Sequence, residues 1–337
     1  MVPPAISVLV TAHHRAEFLR AAVDSVLGQE LPRAHYEVIV VKNFDHPEID
    51  RYLSDRGVLN CRTDAGSLGA KLEVGLQVAS GPVIAFLEDD DVFQPDRLAL
   101  LERAFEDPEM GYFHNAVQVL GRDGRPGPGR FHEECLTPAM LPARDRTPRS
   151  VRAFLGVGPS FNLSSTALRR EALEPARPYL SRTNLTCDNL LCYAALVAPF
   201  RLENSGDRLT GYRLHASASW SPSGPEAFWS AEAAKWKAVV DGFELISEMA
   251  RGHPVERFVA CDLRLRRAMY ALATDSATAP FSPRDLLNLI ACRLFRGEGI
   301  SVGLASAGLL LRAFAPPVER RLYGQYIRRQ TQALGIG

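Results

Sequence analysis

An apolar run, Val83-Ile84-Ala85-Phe86-Leu87, ends in four consecutive carboxylates, Glu88-Asp89-Asp90-Asp91. Val, Ile and Phe in a short continuous run predict a strand buried on both faces. Four adjacent acids at a strand end repel one another, and a fold tolerates them where a cation or a cationic ligand sits. Oxygen donors of this kind suit Mg²⁺ or Mn²⁺, and those ions suit phosphate-bearing substrates. A solvated acidic turn is the plainer reading. The place of these acids, at the carboxyl end of an expected central strand where open α/β sheets bind ligands, favours a site.

The elements that must hold this tip alternate in type. Ile6–Val10, Glu37–Val41 and a short segment near Val58–Cys61 pattern as strands, and Tyr112–Leu120 returns as another. Between them, Ala16–Gln29, Leu68–Ala79 and Pro95–Phe105 carry helical spacing. Strands separated by helices of this length predict parallel pairing with right-handed crossovers, hence a doubly wound α/β sheet. Further on, Phe161–Ser165 reads as a strand followed by a helix over Thr166–Leu173. Asn189–Ala198 reads as a helix opened by Asp188, and Arg208–His215 as a strand. The glycines and prolines of Gly121–Gly129 predict a turn or a mobile loop. Ser221-Pro-Ser-Gly-Pro225 marks a boundary, which predicts a domain over 1–222 and a helical region over 223–337. The latter contains helices at Ala227–Ala250, Val255–Ala273, Pro283–Phe295, Ser301–Ala315 and Val318–Leu334.

The chain of 337 residues has ample core for such a plan. Lys+Arg and Asp+Glu both number 39, so the net charge of +0 argues against a general nucleic-acid coat. Six scattered cysteines without a Cys-x-x-Cys pair point to free thiols in a reducing compartment. Met1-Val2-Pro3-Pro4 opens no secretory signal, so a cytoplasmic location is expected. No run reaches the roughly 20 apolar residues of a membrane span. Ile300–Ala315 comes nearest and reads first as a core helix. From Arg284 onward eight arginines face only Asp285, Glu298 and Glu319, so a peripheral contact at the inner face of a membrane, or a homodimer interface, is the alternative use of this tail.

Several segments together resemble family 2 glycosyltransferases. They are Ser7-Val-Leu-Val-Thr-Ala-His-His-Arg15 with Ser25-Val-Leu-Gly-Gln29, and Glu37-Val-Ile-Val-Val41. They continue with Gly69-Ala-Lys-Leu-Glu-Val-Gly75, Ala79–Asp91, Phe161-Asn-Leu-Ser164 with Ala167-Leu-Arg169, and Tyr212-Arg-Leu-His215 with Ser217 and Ser219. The resemblance covers about Ile6 to Ser219. It implies the GT-A fold, a Rossmann-like sheet that binds a nucleotide-sugar with a divalent metal. It places Glu88-Asp89-Asp90 at the family's Asp-x-Asp motif. Asp90 is then a metal ligand, Glu88 reaches the ribose or a metal-bound water, and Asp91 supports them or coordinates. The register Asp89-x-Asp91 stays open. Asp188 falls where the family keeps a general base beside a second acid, a place Cys187 takes here. Thr11, Ala12, His13, His14 and Arg15 line the donor edge after the first strand. Lys71 is expected to meet the nucleotide or the diphosphate, Arg213 the diphosphate, and His215 the metal shell. Relatives often carry consecutive acids after the second strand, one of which reads the base. This chain has Val41-Lys42-Asn43-Phe44-Asp45, which leaves Asn43 as the candidate.

The expected activity is an inverting, metal-dependent transfer of a sugar to a hydroxyl on a glycan or lipid-linked saccharide. The donor is a UDP-sugar by preference or a GDP-sugar. The missing acids after the second strand and Cys187 motivate an alternative, a sugar-nucleotide-binding or assembly protein without turnover. A nucleotidyltransferase shares the sheet and the metal logic, but it usually shows a glycine-rich basic signature that Thr11–Arg15 lacks.

Overall fold

The computed structural model describes residues 4–127, 133–144, 146–215, 225–274, 283–296 and 325. The expected helix at Ser301–Ala315, that at Val318–Leu334 apart from residue 325, the apolar run Ile300–Ala315, and Ser217 and Ser219 lie outside the described residues.

In chain order the elements begin with β1 (Ile6–Ala12), α1 (Leu19–Leu27), β2 (Tyr36–Lys42), α2 (Pro47–Asp55), β3 (Leu59–Arg62), α3 (Leu68–Val78) and β4 (Val83–Glu88). They continue with β5 (Val92–Phe93), α4 (Arg97–Phe105), β6 (Met110–Leu120), β7 (Ala139–Leu141), α5 (Pro148–Leu155), β8 (Thr166–Arg169), α6 (Arg170–Leu173), α7 (Cys187–Val197) and β9 (Arg201–Arg213). Three helices follow: α8 (Pro225–Met249), α9 (Glu256–Ala273) and α10 (Pro283–Arg296).

The sheet order is β3-β2-β1-β4-β8-β6-β9-β5, with β7 on β9. Strands β3, β2, β1 and β4 pair in parallel. The branched apolar runs of β1, β2 and β4 are buried on both faces, as parallel strands between helical layers must be. Register then aligns their carboxyl ends: Thr11 pairs with Val41 on one side and Glu88 on the other. The loops leaving β1, β2 and β4 therefore open on one edge.

Strand β8 runs antiparallel between β4 and β6, so the sheet is mixed at its centre. Here the structure shifts the expected strand and helix toward the C-terminus. Leu163–Ser165 forms a 3-10 turn, Thr166–Arg169 the strand, and Arg170–Leu173 a short helix. Asn162 explains the turn: its backbone sits at φ 65 and its side chain accepts a hydrogen bond from Ser164 N at 2.8 Å. Asparagine is one of the few residues that tolerates that geometry.

Two helices escape the sequence reading, α2 and α5. Both open on proline after a capping side chain, His46 for α2 and Thr147 for α5. Helix α3 is capped by Ser67, whose hydroxyl accepts from Ala70 N at 3.2 Å. Gly69 in its first turn lies against the 3-10 segment Glu174–Arg182, where a Cβ would stand 1.9 Å from Leu180 O. Only glycine fits that approach.

The chain divides into two compact units, Met1–Pro126 with Arg130–Arg213, and Gly127–Gly129 with Leu214–Gly337. The second unit contains α8, α9 and α10. Arg267 on α9 pairs with Glu244 on α8 at 2.8 Å, and Arg264 reaches Cys292 Sγ on α10 at 3.5 Å. Among the described residues no helix is long and apolar enough to cross a membrane.

Candidate active site

The acidic tip is built as a tight turn on the end of β4. Asp91 N donates to Glu88 O at 3.2 Å, and Asp89 N donates to Thr11 O on the neighbouring strand at 3.0 Å. Glu88 N donates to Ser164 Oγ at 3.0 Å, which ties the tip to the turn before β8. The four side chains then part ways.

Asp89 turns inward and is gripped by Arg15, with Nε at 2.9 Å from Oδ2 and Nη2 at 3.1 Å from Oδ1. The same Nη2 also reaches Asp90 Oδ2. Burial works against the Arg15 charge, but the bonds to these two carboxylates outweigh it and hold its pKa above the ordinary value. Asp91 is buried and accepts from Asn162 Nδ2 at 3.1 Å and Arg213 N at 3.0 Å. The Arg213 guanidinium binds backbone instead: Nε donates to Asp90 O at 2.8 Å and Nη1 to Arg122 O at 3.0 Å. It clamps the tip to the end of β9 and to the turn after β6.

Asp188 enters from the first turn of α7. Its Oδ1 accepts from Asn189 N at 2.7 Å and Asn189 Nδ2 at 2.8 Å. Burial pushes Asp188 up to about 6, against those two bonds. Burial, together with repulsion from Asp90, Asp91, Asp188 and Asp89, drives Glu88 well above the carboxylate range. Burial and Asp90 push Asp91 up to about 7. Burial likewise raises Asp89 to about 6 despite its bonds to Arg15. The fold thus brings Asp188 into the electrostatic field of the β4 acids.

Behind the tip lies Arg97, fully buried, which reads in the sequence as an ordinary helix arginine. Its Nε donates to Asn115 Oδ1 at 3.1 Å, its guanidinium lies 3.8 Å from the Phe93 ring centroid, and Nη1 has no partner. Burial lowers its pKa to about 9, and the Asp91 charge acts in the opposite direction. Asn162 is a second contact of the acids that sequence reasoning misses. Its place in the segment Phe161–Ser164 is the sole signal for it.

On the other side of Arg15, the loops after β1 and β2 meet. His14 N donates to Asn43 Oδ1 at 2.9 Å. Asn43 Nδ2 faces His13 Nδ1 at 3.2 Å and His14 Nε2 at 3.1 Å. Lys71, buried in the first turn of α3, reaches His13 Nδ1 at 2.7 Å. Burial lowers the Lys71 pKa while Asp89 raises it. Burial, Lys71, His14 and Arg15 all lower that of His13. Thr11 and Ala12 are buried at the end of β1, and Thr11 Oγ1 has no hydrogen-bond partner. His215 follows β9 and falls in the second unit.

The donor set fits a hard divalent cation. It is all oxygen, and three of its carboxylates, Glu88, Asp91 and Asp188, are raised by burial and by one another. Among the described residues no three His, Cys, Asp or Glu side chains converge to hold a metal ion. Mg²⁺ and Mn²⁺ commonly bind through one or two carboxylates and take their remaining oxygens from substrate phosphates and water.

The profile of glycosyl transferase family 2 matches residues 7–174, and the chain belongs to that family. An uncharacterized glycosyltransferase of Nostoc sp. is 26% identical over 222 residues, covering 63% of this chain and 65% of its own length. The chain spans from 18% to 65% of the lengths of the curated relatives it matches. Among solved structures, residues 1–349 of Staphylococcus aureus TarS in complex with UDP-GlcNAc superpose with a TM-score of 0.52 at 14% identity, covering 90% of this chain and 91% of that one. The mannosyltransferase PcManGT from Pyrobaculum calidifontis, in complex with GDP-Man and Mn²⁺, gives 0.52 at 16%, covering 95% and 83%. These likenesses establish the GT-A-like fold.

Proposed function

We propose that the chain is an inverting, metal-dependent glycosyltransferase that moves a sugar from a nucleotide diphosphate to an acceptor hydroxyl. The observation that carries this is the meeting of Asp188, from α7, with the acids at the end of β4. Catalysis is assigned to the domain over 1–222, and the helical region over 223–337 is left to acceptor or partner contacts.

Displacement at an anomeric carbon with inversion needs one group to take the proton of the attacking hydroxyl. Asp188 serves, because at pH 7 a carboxyl with a pKa of about 6 is mostly ionised yet basic enough to accept that proton. The departing diphosphate needs positive charge. Asp90 and Asp91 would hold the divalent cation, which supplies Lewis-acid charge to the phosphate oxygens. Arg15, anchored on Asp89, adds a guanidinium at the same edge. Arg213 and Asn162 keep the tip in shape. The carboxyl ends of β1 and β2 offer the nucleoside its place, since ligands of open α/β sheets lie there. Solved structures of similar fold hold UDP-GlcNAc in one case and GDP-Man with Mn²⁺ in another, which supports a nucleotide-sugar donor.

The test is transfer or donor hydrolysis with a panel of nucleotide-sugars and Mn²⁺. Loss of turnover in both Asp90→Asn and Asp188→Asn is expected, and full turnover in both would refute the assignment. Metal-dependent donor binding with no turnover on any acceptor would instead favour a sugar-nucleotide-binding protein.

A further inference from the structure

The hydrogen bonds beyond β1 and β2 fix protons that a chain of this sort need not fix. An ammonium group has three donors and no acceptor. The Lys71 ammonium stands 2.7 Å from His13 Nδ1, so that nitrogen must be the accepting, unprotonated one. Asn43 independently agrees. Its Oδ1 accepts from His14 N at 2.9 Å, which leaves Nδ2 to point at His13 Nδ1 and His14 Nε2, both again acceptors. His13 is exposed, and its Nε2 then carries the ring proton. No second acceptor reaches Lys71 Nζ among the described residues, so two of its donors remain on a side chain that is 1% exposed.

We infer that Asn43 and Lys71 lock His13 as the neutral imidazole protonated on Nε2, and that the remaining donors of His13 and Lys71 read the donor's nucleobase at O4 of a uracil or O6 of a guanine. The inference rests on the glycosyltransferase reading and sharpens it. Uracil O4 and guanine O6 are acceptors, whereas cytosine and adenine carry an amino group at the equivalent position. Two donors facing each other repel, and a buried ammonium left unpaired costs more than one that is satisfied. Asn43, whose amide is already engaged at both ends, positions the histidines rather than reading the base.

Placement favours the base over the phosphates for this cluster. Sheet order runs β2, β1, β4, so Asn43 stands two strands from the acidic tip, about 10 Å at the usual strand spacing. A ribose bridges such a gap, with the diphosphate over β4 and the base over β1 and β2.

The experiment is calorimetric binding of UDP, GDP, CDP and ADP to the full chain with Mn²⁺, alongside ¹⁵N NMR of the histidine rings. The tighter of UDP and GDP should bind at least about tenfold more strongly than CDP or ADP, the scale of one good base contact. His13→Phe should bring that ratio close to one, and the wild-type His13 ring should show the neutral Nε2–H tautomer. Equal binding of all four, retained discrimination in His13→Phe, or an Nδ1–H tautomer would each overturn the inference while leaving sugar transfer intact. Failure of every nucleoside diphosphate to bind would overturn the glycosyltransferase reading along with it.

Discussion

Past β4, four carboxylates crowd one turn, and burial makes their charge expensive. Past β1 and β2, an amide, two imidazoles and an ammonium form a chain in which each visible bond has its donor and its acceptor. The first region is frustrated, whereas in the second the bonds are matched and, among the described residues, only two buried Lys71 donors are left over. Frustrated charge marks where a counter-charge must arrive, and a satisfied network marks where shape and proton placement are fixed beforehand. Chemistry is therefore expected to be lost on perturbing the acids, and selectivity on perturbing the donors.

The largest effect should come from Asp188→Asn. Removal of a general base costs typically 10²–10⁴-fold, so kcat is expected to fall by about that factor, with donor affinity changed little. In the wild type, kcat/KM measured against pH should rise as pH increases through about 6, where Asp188 loses its proton. A profile flat from pH 5 to 8, or an unaffected kcat in Asp188→Asn, would break the comparison at its catalytic end.

Next comes stability, where the frustrated region makes an unusual prediction. Asp91 titrates at about 7 in the fold, above the roughly 3.9 of an unfolded aspartate. A carboxyl raised by folding contributes stability that is complete below its unfolded pKa and is lost as pH rises through its folded one. Without metal, the thermal midpoint should thus drop as pH goes from about 4 to about 7. Asp91→Asn should raise the midpoint at pH 7.5 by about 2–4 °C, corresponding to about 1 kcal/mol, while lowering turnover. Mn²⁺ with UDP should stabilise the wild type more than the variant. A lower midpoint for Asp91→Asn at pH 7.5 would mean that Arg97 and Arg213 already neutralise this carboxylate.

What the sequence reveals and what it hides divide along the same line. The strands β1, β2 and β4 are legible because a continuous run of Val, Ile and Leu suits a strand covered on both faces, and the acidic tip is legible because β4 runs straight into it. Helices α2 and α5 are hard to read because each is short and carries only a few apolar residues, although Ile49, Tyr52 and Leu53 do keep helical spacing. The later start of the strand, at Thr166, follows the turn set by one residue, Asn162, whose left-handed backbone no periodicity reveals. Individual residues such as Lys71 and Asp188 can be placed near the chemistry by motif. What they touch cannot, because Arg15 with Asp89, Arg97 behind Asp91, and Lys71 with His13 are contacts between elements that only the folded sheet brings together.

A smaller effect is expected from Lys71→Met, which keeps the length and removes the charge. KM for the donor should rise about tenfold with kcat nearly unchanged, the pattern of a contact made equally in ground and transition states. A fall in kcat with constant KM would move Lys71 from the nucleoside to the leaving diphosphate, and the two regions would then no longer be separate in function.

The smallest effect separates positioning from reading. Asn43→Ala removes the bracket between the loops but leaves Lys71 on His13 Nδ1. If Lys71 alone suffices to hold the His13 tautomer, the variant should bind donor a few-fold more weakly, about the worth of one neutral hydrogen bond. Its preference among bases should be unchanged, because the donors on His13 Nε2 and Lys71 Nζ survive. Isothermal titration of the variant with the same four nucleotides measures both quantities. A loss of base preference in Asn43→Ala, at affinities like those of the wild type, would make the amide itself the reader and reduce His13 to its support.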